Sequence, residues 1–132
     1  MSDIGNKMRT PLKNVRHLGS AKEGTDHFWR QRVTAVANLI LAPLFVVLLV
    51  MLVGEDYGTV RRVLGNPLIA IPMILFIGAG LVHMRLGMQT IIEDYVHSEG
   101  RKIVLLMLNS FFVILMGAIA VYALLKLSFV DM

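Results

Sequence analysis

His83, Asp94 and Tyr95 are the residues of this chain whose type and spacing best suit chemistry. His83 sits deep in an apolar run, and an ionisable residue inside a membrane span is costly enough to mark a functional site by default. On a helix turning about 100° per residue, His83, Gly87, Thr90 and Asp94 share one face, because eleven steps return to within about 20° of the start. The imidazole and the carboxylate then stand about 16 Å apart along the axis, too far to act on one atom. They read as two linked sites: a buried ligand nitrogen, and a proton-transfer pair of carboxylate and phenol near the water interface.

The elements that must position these residues are membrane helices. The chain has 132 residues, 56% of them hydrophobic, and is too apolar for a soluble domain of that size. Three stretches, at about 33–53, 68–92 and 103–127, reach the roughly 20 residues needed to cross about 30 Å of hydrocarbon. The expected fold is all-α: an integral membrane protein with three transmembrane helices in one domain, 25–132, preceded by a polar arm over 1–24. Seven of the 13 Lys and Arg residues (Lys7, Arg9, Lys13, Arg16, Lys22, Arg30 and Arg32) precede the first span. Arg101 and Lys102 follow the second, whereas Arg61 and Arg62 after the first are offset by Glu55 and Asp56. Positive residues favour the cytoplasmic side, which puts the N-terminus and the Asp94-Tyr95 end of span two inside and the C-terminus outside. The net charge of +4 is therefore a topology signal and not a nucleic-acid signal.

Small residues flank the histidine. Ala79 and Gly80 lie one turn before His83 and Gly87 one turn after, so a bulky partner can approach the backbone closely. A flat macrocycle is favoured, with a histidine hydrogen-bonded across a helix pair as the alternative. Met84 and Met88 have the chemistry of haem ligands but read as adaptable packing. Arg85 lies about 200° round from His83 and forms a polar stripe with Gln89 and Glu93, explained by snorkelling or by a partner subunit. In span one, Thr34 and Asn38 share a face, Asn38 reading as an interhelical hydrogen-bonding group, and Pro43 can kink the helix. Thr25 or Asp26 can cap the entry to this helix, and Phe28 and Trp29 suit an aromatic belt. Arg32, with His27, either anchors the helix at the headgroups or meets an anionic ligand group. The segment from Gly54 to Pro67 reads as an ordinary external loop. The third span reads as packing surface, with Lys126 and Asp131 meeting water beyond it.

With no cysteine, the chain itself offers no disulfide, thiolate zinc site or Cys-ligated iron-sulfur cluster. No cleavable signal is evident, and the acids Asp3, Glu23 and Asp26 argue against a mitochondrial-type presequence. A b-type haem in a membrane bundle takes two axial ligands, commonly two imidazoles or an imidazole and a thioether. Only His83 lies deep in a span; His17, His27 and His97 lie outside or at an edge. A bound haem would therefore draw its second ligand from another chain, and three helices alone make a thin wall around a porphyrin.

His83, Gly87-Met88-Gln89 and Asp94-Tyr95, with Phe28, Gln31-Arg32 and Thr34-Ala35 at the start of span one, give a chain that resembles a known family over about residues 24–127. The family is the small three-helix membrane anchors of succinate dehydrogenase, respiratory complex II. The resemblance implies that His83 is the axial ligand to a haem b shared with a second, cytochrome b-type anchor subunit, so that the three helices form half of a two-subunit haem-binding bundle. It implies that Tyr95 hydrogen-bonds ubiquinone, that Asp94 organises the pocket and its proton supply, and that Arg32 and His27 meet the haem propionates. Other members can set the histidine differently against its acidic neighbour, so the order Asp26-His27 leaves the role of His27 open. Met84 and Arg85 depart from the family pattern and receive no role. The implied partners are the second anchor, an iron-sulfur subunit and a flavoprotein that oxidises succinate; this chain would not catalyse that step itself. The implied location is the bacterial inner membrane, with the mitochondrial inner membrane as the alternative. Competing readings are a fumarate reductase anchor, a small proton or ion transporter subunit and a structural adaptor. Against transport, His83 and Arg85 point to different faces.

Overall fold

The computed structural model describes residues 23–129. Helix α1 runs over Glu23–Leu52, α2 over Tyr57–Gly65, α3 over Pro67–Tyr95 and α4 over Glu99–Phe129; no strand occurs among the described residues. The expected spans fall on α1, α3 and α4, the first running one residue past Leu52, and each helix is long and apolar enough to cross a membrane. With 30, 29 and 31 residues they are each about 45 Å long, so their ends project past the hydrocarbon layer. Helices are the natural outcome in an apolar solvent, because they satisfy nearly every backbone N–H and C=O within the segment. Pro43 in α1 and Pro72 in α3 each remove one donor without ending the helix. The expected arm over 1–24 lies outside the described residues except at 23 and 24, which already belong to α1, and Asp131 also lies outside them.

Two local expectations change. The backbone is already helical at Glu23, so Thr25 and Asp26 lie inside α1 and do not cap it; Asp26 instead pairs with Arg30, one turn on, at 3.0 Å. The segment expected as a loop contains α2. The Asp56 carboxylate caps that helix, accepting from the amides of Gly58 at 2.9 Å and Thr59 at 3.4 Å and from the Thr59 hydroxyl at 2.6 Å. Val60, Val63 and Leu64, spaced i, i+3 and i+4, are its half-buried side, while Tyr57 and Arg62 are exposed. Asn66 closes α2 and opens α3: its N–H donates to the Val63 carbonyl, and its side-chain oxygen accepts from the Leu68 amide. Pro67 follows at the first position of α3, where its missing donor costs nothing.

Helix α3 is the centre of the molecule. It packs along both α1 and α4, which have little contact with each other, and α2 packs against α4 and the start of α3. The result is an open layer of antiparallel helices. Accordingly, the buried hydrophobic residues among those described are few: Ala70, Met73 and Ile92 of α3 and Leu124 of α4. Two contacts fix the layer on the α4 side. The Asn109 amide donates to the Arg85 carbonyl at 3.0 Å, and Gly65 lies so close to α4 that a Cβ there would stand 2.9 Å from the Leu127 carbonyl oxygen.

Candidate functional site

The α1–α3 seam carries the site. Gln31, Thr34, Asn38 and Phe45 follow the three-and-four spacing of a coiled-coil seam and meet Gly87, His83, Gly80 and Phe76, so α3 descends as α1 rises. The Gln31 amide nitrogen stands 3.6 Å from where a Cβ on Gly87 would be, and the Asn38 oxygen 3.9 Å from that of Gly80. The space beside these glycines, expected to admit a macrocycle, is thus taken up by α1 at ordinary van der Waals contact. Phe45 and Phe76 close the far end with ring centroids 5.1 Å apart.

Between these contacts, the Thr34 hydroxyl lies 3.2 Å from Nδ1 of His83. His83 is half-buried. Its Nε2 makes no hydrogen bond among the described residues and is not sealed off by them. One ring nitrogen is therefore held and the other is left open, which is the donor arrangement of a metal-ligating histidine. A haem iron fits that nitrogen. No cluster of three or more His, Cys, Asp or Glu side chains that could hold a metal ion by itself forms among the described residues.

The remaining candidates lie at the end of α3 that carries Asp94 and Tyr95 and at the facing start of α1. Asp94 and Tyr95 occupy the last turn of α3, both exposed, Tyr95 at 78%, and neither has a hydrogen bond within the described residues. Any pocket they line is left open by the described residues. Arg32 is exposed, its guanidinium 5.1 Å from the Phe28 ring centroid. His27 is half-buried, and its Nε2 and the Gln31 amide oxygen are buried without a hydrogen-bond partner among the described residues. His27 and Arg32 are five residues apart, about 140° round α1, so the helix presents them on different sides. Arg85 is exposed, and Gln89 donates to Glu93 at 2.8 Å along the expected polar stripe.

Sequence reasoning missed the contact between Thr34 and His83 and the seating of Gln31 over Gly87. The available signal was the run His27, Gln31, Thr34, Asn38, four polar residues at seam spacing on one apolar helix. It also missed the Asn109 bond to α3.

The family model for succinate dehydrogenase/fumarate reductase transmembrane subunits matches residues 6–119. The succinate dehydrogenase hydrophobic membrane anchor subunit of Paracoccus denitrificans is 35% identical over 122 residues, covering 89% of this chain and 91% of its own length. The protein of the same description from Rickettsia bellii is 33% identical over 67% of this chain and 70% of its own. The succinate dehydrogenase membrane anchor subunit of Reclinomonas americana is 34% identical over 70% and 79%, respectively. No solved structure matches the chain significantly.

Proposed function

Because this chain belongs to the family of succinate dehydrogenase/fumarate reductase transmembrane subunits, we propose that it anchors the soluble subunits of a succinate:quinone oxidoreductase and completes that complex's haem b and ubiquinone sites. The observation that carries the reading is His83, with Nδ1 on the Thr34 hydroxyl and Nε2 open. His83 would hold the haem iron through that nitrogen, and a second anchor subunit would supply a further ligand. A haem b held there provides a one-electron carrier inside the membrane. Arg32 would meet its propionates; His27, on another side of α1, has an Nε2 that is buried without a hydrogen bond among the described residues.

At the Asp94-Tyr95 end of α3, Tyr95 donates its phenolic O–H to a carbonyl oxygen of ubiquinone. Asp94, one residue away and exposed, exchanges protons with interfacial water, so that the oxygen held by Tyr95 is protonated as electrons reach the ring. Those electrons originate in succinate oxidation by a flavoprotein and arrive through an iron-sulfur subunit. The exposure of Asp94 and Tyr95 and the open layer around α3 both support a site shared with other subunits. The names of the three relatives, each a succinate dehydrogenase anchor, favour succinate oxidation over fumarate reduction.

The test is purification through a tag on this chain in mild detergent. The reading expects a second hydrophobic subunit, bound flavin, iron-sulfur signals and succinate:ubiquinone reductase activity in the same peak. Recovery of an intact membrane assembly without flavin or iron-sulfur centres would overturn it.

A further inference from the structure

The Thr34 hydroxyl has one hydrogen and two acceptor lone pairs. Its oxygen lies 2.7 Å from the Arg30 carbonyl oxygen and 3.2 Å from that of Gln31. Carbonyl oxygens only accept, so the hydroxyl proton is committed to the backbone one turn earlier. The third contact, to Nδ1 of His83 at 3.2 Å, is then left with Thr34 as acceptor and the ring N–H as donor. A neutral imidazole with its proton on Nδ1 carries its free lone pair on Nε2.

We propose that Thr34 is the positioning residue of the metal site: through its backbone-locked hydroxyl it fixes His83 in the Nδ1–H tautomer, sets the plane of the ring and tunes the donor strength of Nε2 toward the haem iron. This rests on the reading of His83 as an axial ligand. The physics is that of an outer-shell partner, which holds tautomer and orientation and raises the basicity of the ligand. A hydroxyl is a neutral acceptor, so it lends the ring less anionic character than a carboxylate would. Gln31 and Asn38 flank Thr34 on the seam and lie against glycines, so α1 is held at this register without the hydroxyl. The role of Thr34 is therefore separable from packing.

The experiment compares Thr34→Val, which keeps the shape and deletes the acceptor, with Thr34→Ser, which keeps the hydroxyl, in the assembled complex. His83→Ala serves as one control, and Ser128→Ala, which removes a hydroxyl bonded to the Leu124 carbonyl four residues earlier at the far end of α4, as the other. In Thr34→Val, the haem midpoint potential should shift upward, because a weaker donor stabilises the ferric state less. The low-spin electron paramagnetic resonance g values should move as the ring is released, and haem retention should fall by roughly tenfold or more. Thr34→Ser should restore all three, and Ser128→Ala should alter none. Unchanged potential, g values and retention in Thr34→Val, with the haem lost or altered in His83→Ala, would overturn this role and leave the ligand assignment standing. An unaltered haem in His83→Ala would overturn both. A measurement on the unsubstituted full chain, histidine-15N-labelled and haem-free in detergent, reads the ring tautomer directly. His83, identified by its loss in His83→Ala, should show the Nδ1–H tautomer, and the Nε2–H tautomer would overturn the proposal.

Discussion

His83 shows how a polar side chain becomes tolerable in the middle of a membrane helix: one nitrogen is hydrogen-bonded across the seam and the other is left open by the described residues. Helical periodicity in the sequence already put His83, Gly87 and Asp94 on one face. It could not name Thr34 as the partner, because period fixes faces whereas partners depend on the register between two helices. Tyr95 is the residue at which an activity change is most readable. If Tyr95 donates to quinone as proposed, Tyr95→Phe is expected to lower succinate:ubiquinone reductase turnover by about tenfold, as the loss of about 1.4 kcal/mol would. The reduced haem spectrum should be unchanged, since Tyr95 is exposed twelve residues from His83. Steady-state kinetics and absorbance on one preparation check both halves.

At the scale of elements, the glycines discriminate between close and ordinary packing. Gly65→Ala forces a Cβ against the Leu127 backbone, and is expected to destabilise the α2–α4 contact by about 1–3 kcal/mol. Gly87→Ala makes only ordinary contact with Gln31 and should leave thermal stability nearly unchanged. Thermal unfolding of the detergent-solubilised complex distinguishes the two. Helix α2 also carries a pH dependence. The Thr59 hydroxyl, and after it the Thr59 amide, hold the Asp56 carboxyl below its ordinary range. A folded pKa below the unfolded one means that the cap is fully stabilising above about pH 4 and is lost as pH falls through the lowered value. Amide protection at Gly58 and Thr59 should hold from neutral pH down to about pH 5 and decline below about pH 4, and Asp56→Asn should remove that dependence. The helix itself was legible in the sequence, as Asp56 and Thr59 followed by Val60, Val63 and Leu64. Gly58 and the mixed charges around it obscured the pattern in so short a segment.

For the whole molecule, three apolar runs and a skewed distribution of Lys and Arg were enough to read the three spans from sequence. The open layer was not legible, because an apolar face looks the same whether it meets lipid, a sister helix or another subunit. Topology has a clean test in a chain without cysteine. An impermeant thiol reagent should label His97→Cys only from the cytoplasmic side and Glu55→Cys only from the opposite side; the reverse pattern would invert the assigned orientation. Whether α3 brings an axial haem ligand into a membrane anchor is tested most directly by a dithionite-reduced minus oxidised spectrum of the purified complex with and without His83. The expected result is the Soret and α-band pair of low-spin haem b with the native chain, lost or shifted in an otherwise assembled His83→Ala complex. A haem b spectrum identical in the two preparations would contradict the role given to His83.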